Sequence, residues 1–401
     1  MPEFELVIRN ARVATAADVF ECDIGVTDGR IAALARGLGK GVQDIDAAGR
    51  WVLPGGVDGH CHLDQPMSDG SLIADDFRTG TRSAACGGTT TVIPFACQFK
   101  GQSLRAAVDD YHRRADGKAV IDYAFHLIVS DPTEMVLKEE LPQLINEGYT
   151  SFKIYMTYDD LKLNDRQILE VLTVARREGA MVMVHAENTD CIAWLTEQLL
   201  AAGHTAPRFH AASRPMLVER EATHRAIAFA ELVDLPVLLV HVSGRDAVEQ
   251  MVGAGAWTAG VPNGIPGLET RLPLLFSEGV MKGRIDINTF VALTSTNVAK
   301  MYGLYPRKGT IAIGVDADLV IWNDALNLEI TNAMLHHNVD YTPYEGRTLN
   351  AWPGMTLSRG EIVWSRPQPH GVTGRGRFLR CERPTPARPK HLPDPLVPEP
   401  S

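Results

Sequence analysis

Hydrophobic and polar positions follow two different rhythms along this chain. Near the N-terminus, FELVIRNARVAT, DIGVTDGRIAALA and DIDAAGRWVLP are short apolar runs broken by Asp-Gly and Ala-Gly turns, the pattern of a small β unit. A similar pattern returns in GTIAIGVDADLVIWN (309–323) and MTLSRGEIVWSRP (355–367). The two chain ends are therefore expected to form one β domain around a larger insert. In that insert, near-continuous apolar strands are predicted at 55–63, 89–96, 121–129, 149–157, 180–187 and 236–244. Helix-like stretches such as SLRAAVDDYHRRADG, EELPQLINEG, DRQILEVLTVARREG and EREATHRAIAFAELVD lie between them. The first five strands recur at about the 30-residue length of one βα unit. Strands alternating with helices imply a parallel sheet, and continuous apolar runs imply burial on both faces. A (β/α) barrel fits best and a doubly wound open sheet second.

Composition narrows the classes. The 401 residues are 45% hydrophobic and 22% charged, close to an average soluble globular protein. A net charge of −10, from 39 basic and 49 acidic residues, argues against nucleic acid or an anionic membrane as the main partner. No apolar run approaches the roughly 20 residues of a spanning helix, and no secretory leader is visible in MPEFELVIRNARV, so a cytoplasmic location is expected. The six cysteines are scattered without a CxxC pair and read as reduced thiols. No strand is followed by a phosphate-binding GxGxxG or GxxxxGKS/T loop, which sets aside a dinucleotide enzyme. The tail from 371, rich in Pro and Arg, reads as irregular: either extended over a neighbour or partly disordered.

The chemistry gathers at strand ends. His60 and His62 stand at i and i+2 on a strand and point to one face. Two such imidazoles can share a metal ion, or simply mark the wet end of a strand. His185 closes AMVMVHAE and His241 closes PVLLVHVSG. In a barrel, catalytic side chains collect at the carboxyl ends of the strands. Lys153 lies among Phe, Ile, Tyr and Met in YTSFKIYMT. Lysine is almost never buried alone. It is either paired with an acid or snorkelling outward, or a neutral amine that adds carbon dioxide to become a carbamate ligand.

Taken together, HCHLD after VLPGGVDG, SFKIYMTY, VHAEN, HVSG, PNGIPGLETRLPLLFSEGV and GTIAIGVDADLVIW resemble the dihydropyrimidinase/hydantoinase branch of the amidohydrolase superfamily, in the same order and over almost the whole chain. The resemblance implies an α/β fold: a TIM-type (β/α)8 barrel at 54–305, a β-sandwich from 1–53 with 306–370, and an irregular tail at 371–401. It implies two divalent metal ions, usually zinc, and hydrolysis of a cyclic amide (a dihydropyrimidine, 5-substituted hydantoin or cyclic imide) by a metal-bound hydroxide. A homotetramer is also implied. Residue by residue, His60 and His62 match the pair on the first metal. Lys153 matches the carbamylated lysine that bridges both metals, and His185 and His241 match the ligands of the second. Tyr158 matches the tyrosine that hydrogen-bonds the substrate oxygen. Asn263 matches a residue whose backbone contacts the substrate ring.

One departure is large. The family's acid/base aspartate, in an S-D-H motif after the eighth strand, is absent, and S-D-H occurs nowhere in the chain. The stretch between His241 and Asn263 is too short for two further βα units, so the expected barrel lacks two strands. Asp246 and Glu269 are the nearest substitute acids. The competing class is a non-catalytic, dihydropyrimidinase-like assembly protein, which would bind no metal.

Overall fold

The structure is a computed structural model and describes residues 2–67, 70–253, 258–259 and 265–390. The chain divides into two compact units: residues 1–95, 111–125 and 264–382 in the first, and 96–110, 126–263 and 383–401 in the second.

The first unit carries a nine-stranded sheet built from both ends of the chain. Its strands run in the order Gln368–Pro369, Glu361–Ser365, Trp352–Ser358, Leu319–Asn323, Trp51–Pro54, Phe4–Ala14, Val19–Thr27 and Arg30–Ala35, with Gly41–Asp46 also paired to Phe4–Ala14. The seam between the two ends is antiparallel, with Val320 opposite Leu53 and Ile321 opposite Val52. Alternation explains why LVIW is apolar throughout. Leu319 and Ile321 enter one cluster with Ile8, Val13, Ile24 and Val52. Val320 and Trp322 enter another with Leu53, Phe276 and Phe290. Successive side chains point to opposite faces, and here both faces are covered. Phe276 stacks on Trp322 with ring centroids 4.2 Å apart.

The same unit holds the parallel strands Gly56–Cys61, Thr89–Cys97 as far as Phe95, and Asp122–Tyr123. The helix Phe77–Cys86 connects the first two; Asp76 caps it by accepting from the Arg78 and Thr79 backbone N–H groups. All nine residues of Thr89–Cys97 are buried, as a strand covered on both faces requires.

The second unit is a run of parallel strands, His126–Ile128, Ser151–Tyr155, Met181–His185, Val237–Val240 and Thr258–Ala259. Helices join the strands from Ser151 to Val240. Between Ser151–Tyr155 and Met181–His185, helix Asp165–Glu178 starts at an Asn164/Gln167 capping box and ends at the left-handed Gly179. Its Ile168, Val171, Leu172 and Ala175 are buried, which is the helical i, i+3, i+4, i+7 spacing. The sequence reading expected no strand between His241 and Asn263. The structure has a two-residue one, Thr258–Ala259, too short to leave a period in the sequence. Beyond it, the described residues form only short helices, Arg271–Leu275, Ile287–Val291 and Asn297–Met301 among them, before the strand Leu319–Asn323. No helix among the described residues is long and apolar enough to cross a membrane.

Part of the proline-rich tail is fastened down. Arg375 donates to the carbonyls of Val120 and Ser358, and the Arg377 backbone N–H donates to Asp122. Residues 391–401 of the expected tail lie outside the described residues.

Lys308 ties distant segments of the first unit together. Only 1% exposed, its Nζ lies 2.8 Å from Asp122, 3.0 Å from Asp316 and 2.6 Å from Asp318. Arg359 adds a second cation at Asp122, 3.1 Å away. Burial alone would lower the Lys308 pKa, but the surrounding carboxylates outweigh it and raise the pKa. Removing one partner of such a group strands the others as buried charge. Lys308→Met is expected to lower the unfolding free energy by about 3–5 kcal/mol, measured by denaturant unfolding. An unchanged midpoint would contradict this.

Candidate metal centre

In the first unit, His60 lies at the end of the strand Gly56–Cys61 and His62 follows two residues later. Their ring centroids are 5.7 Å apart. Phe95, on the adjacent strand, backs both rings at 4.8 and 4.9 Å. His62 Nδ1 donates to Gln65 Oε1 over 2.6 Å. Asp58 accepts from the His60 backbone N–H at 3.0 Å and pairs with Arg271 at 3.2 Å.

In the second unit, strand register brings three other predicted residues together. Tyr155 pairs with His185, and Lys153 with Met183. His241 directly follows the strand Val237–Val240. The His185 and His241 rings are 4.3 Å apart, and Lys153 Nζ is 3.4 Å from His241 Nε2. Lys153 is 1% exposed, and burial brings its pKa down to about 7. Burial also lowers the pKa of His185. The local electrostatics therefore favour neutral nitrogen donors over cations, which suits a bound cation. Two imidazoles with an amine able to become a carbamate fit a divalent metal of borderline softness.

Tyr158 lies beside the same cluster, its ring 5.1 Å from His185 and 6.0 Å from Tyr155. It is 40% exposed, and burial of its inner part raises the phenol's pKa. Both Tyr158 (φ 69°) and His241 (φ 42°) have left-handed backbone, a conformation that side chains other than glycine rarely adopt and that clusters at functional sites. Glu219 secures the turn after His241, accepting from the Ser243 and Gly244 N–H groups at 2.8 and 2.5 Å.

Two residues that sequence reading passed over complete this cluster. His185 Nε2 donates to Glu187 Oε2 over 2.7 Å, and Arg214 donates to the same oxygen over 2.6 Å. Burial opposes ionisation of Glu187, but the His185 hydrogen bond and the Arg214 charge outweigh it and hold its pKa low. The guanidinium of Arg214 lies 5.5 Å from the Tyr158 ring centroid. Glu187 had a signal in VHAEN, because i+2 in an extended chain shares a face with i. Arg214 had none; it arrives from the residues before helix Met216–Val233.

The two substitute acids have other engagements. Asp246, on helix Arg245–Gly253, is 3.5 Å from Arg220. Glu269, in the first unit, accepts from the His336 backbone N–H at 2.8 Å and from Ser83 at 3.3 Å, and lies 2.9 Å from His336 Nδ1. With Cys86 and His336 it forms a group of potential ligand atoms lying within 4.8 Å of one another. Asn263 lies outside the described residues.

Comparison with known proteins agrees with this chemistry. Amidohydrolase family models match residues 51–228 and 144–363. A D-hydantoinase of Geobacillus stearothermophilus is 39% identical, over 93% of this chain and 96% of that protein. A dihydropyrimidinase of Rattus norvegicus is 34% identical over 94% of this chain and 89% of that protein. A crystal structure of a D-hydantoinase superposes with a TM-score of 0.90 at 37% identity, covering 94% of this chain and 99% of that one. The Geobacillus alignment runs over 453 positions, whereas 93% of 401 residues is about 373. About 80 aligned positions of that relative therefore face no residue here, which is the size of two to three βα units of about 30 residues. The mixed α/β architecture, the ordered motifs and these likenesses together make the chain a member of the dihydropyrimidinase/hydantoinase family of amidohydrolases.

Proposed function

We propose that this chain is a metal-dependent hydrolase that opens a cyclic amide ring, with a dihydropyrimidine, a 5-substituted hydantoin or a cyclic imide as substrate class. The observation that carries the reading is the cluster of Lys153, His185 and His241, with Lys153 Nζ 3.4 Å from His241 and the two rings 4.3 Å apart. Family membership supports completing the fold as a shortened (β/α)8-derived barrel beside a β-sandwich from the chain ends.

In this reading His60, His62, carbamylated Lys153, His185 and His241 would hold two divalent metals, with zinc suited to the nitrogen-rich donors. When bound, the metals supply Lewis-acid polarisation of the ring carbonyl and acidify water. The chain's own residues do the rest. A lysine whose pKa is brought down to about 7 offers a neutral amine for carbamate formation near neutral pH. Carbamylation converts a buried amine into an anion, the charge that a cation site needs. Tyr158, its pKa raised by burial, keeps its phenol proton at neutral pH and can donate it as a hydrogen bond to the substrate oxygen as charge develops there. Asn263 would present its backbone to the ring.

Two outcomes test this. Lys153→Ala and Lys153→Arg should both abolish stoichiometric metal binding, measured by elemental analysis of purified protein. Arginine keeps the positive charge but cannot be deprotonated, so it cannot form the carbamate. Full metal content in Lys153→Arg would contradict the carbamate. The family's S-D-H aspartate is missing, and general acid–base assistance is worth about 10²–10⁴ in rate. Turnover of dihydrouracil and a 5-substituted hydantoin should therefore fall below that of the Geobacillus relative by about that factor. Equal turnover would mean that another acid serves.

A further inference from the structure

We infer that Cys86, Glu269 and His336 form a separate metal site, in the first unit, that takes one thiophilic divalent cation such as zinc or cadmium. The site shares no residue with the Lys153 centre, and its existence does not depend on the hydrolase reading. One ligand atom from each of the three side chains lies within 4.8 Å of the other two. Glu269 Oε1 and His336 Nδ1 are 2.9 Å apart. Two donors held about 2 Å from a tetrahedral zinc ion lie about 3.3 Å from each other, so a small opening admits the ion between them. The three residues come from separate parts of the chain, and packing fixes each. Cys86 ends the helix Phe77–Cys86, and its carbonyl accepts from the Trp352 indole N–H at 3.1 Å. At Gly87 a Cβ would collide with the backbone of Glu269, so the missing side chain lets that segment close on the helix end. Glu269 Oε2 accepts from the His336 backbone N–H at 2.8 Å and from the Ser83 hydroxyl at 3.3 Å, which holds the carboxylate while Oε1 faces the imidazole. The His336 ring meets Trp364 edge-on, with centroids 5.3 Å apart.

The donors select the ion. A thiolate beside an imidazole and a carboxylate suits zinc or cadmium, whereas magnesium and calcium want oxygen ligands. Thiolate and carboxylate together carry the two negative charges that a divalent cation neutralises. Cys86 is 0% exposed and the Glu269 side chain 3%, but that of His336 is 21% exposed, which gives the ion a way in and leaves room for water as a further ligand. Burial and the Glu269 charge push the Cys86 thiol well above its usual pKa, and Arg82 on the same helix pulls it back only in part. Arg82 also donates to the His336 carbonyl over 3.5 Å. The ion therefore has to displace the thiol proton: the S–H bond breaks, a sulfur–metal bond forms, and one proton leaves to solvent for each ion bound. The site accordingly fills from added metal as pH rises, and is distinct from metal that the protein carries through purification.

The test is titration of the full chain with cadmium chloride at several pH values, read by the ultraviolet charge-transfer absorption of cadmium bound to thiolate. Cys191, the exposed cysteine, is replaced by alanine throughout so that it does not contribute. The Lys153 centre has no sulfur ligand and is silent in this readout. The parent chain should develop the absorption of one cadmium–thiolate bond, with an apparent affinity that rises about tenfold per pH unit. Cys86→Ala should lose the absorption. His336→Gln keeps the thiol but should need at least about tenfold more cadmium, since even outer-shell partners contribute about 10–100-fold to metal affinity. That variant lies on the partly exposed side and keeps the test decisive if Cys86→Ala does not fold. A parent chain without the absorption, an absorption that survives in folded Cys86→Ala, or a His336→Gln titration that matches the parent would each overturn the inference. None of these results touches the hydrolase reading, which turnover tests separately.

Discussion

Burying Lys153 is the constraint on which the candidate site depends. An ammonium carried into a strand interior loses its hydration and must be paired or give up its proton. At 1% exposure, with its pKa brought down to about 7, this lysine sits where it can do the second. The surroundings follow the same logic. Burial disfavours protonation of His185 as well, and the aromatic rings of Tyr155 and Tyr158 pack beside it. Burial thus disfavours the protonated forms of Lys153 and His185, which suits a bound metal cation there.

The fold serves this arrangement through register. Parallel strands with helical crossovers put successive strand ends on one side, so Tyr155 and His185 are neighbours because their strands pair residue for residue. The left-handed backbone at Tyr158 and His241 then turns the chain sharply just where those side chains are needed. The first unit spends its polar interactions differently. Lys308 and three aspartates use full charge to fasten segments that lie far apart in the chain, and there the lysine's pKa is raised rather than lowered. Both lysines are buried, yet burial lowers the pKa of Lys153 while three carboxylates raise that of Lys308.

Much of this was legible beforehand. His185 and His241 announced themselves as polar residues ending apolar strands, and Lys153 as a charge inside one. The β unit from both chain ends was readable because its turns are Asp-Gly and its strands alternate. Arg214 and the Lys308 network were not readable, since their partners come from other elements and only tertiary packing brings them together. The Thr258–Ala259 strand was too short to leave a period. Glu269 was a candidate substitute acid in the sequence, and the structure engages it with His336 and Ser83.

Native mass spectrometry of the intact chain, followed by peptide mapping under conditions that preserve labile adducts, tests the role of Lys153 most directly. The predicted result is bound divalent metal together with the added mass of one carbon dioxide on the peptide containing Lys153. Metal bound at full stoichiometry to a chain whose Lys153 is unmodified, or no metal on a folded chain, would contradict it.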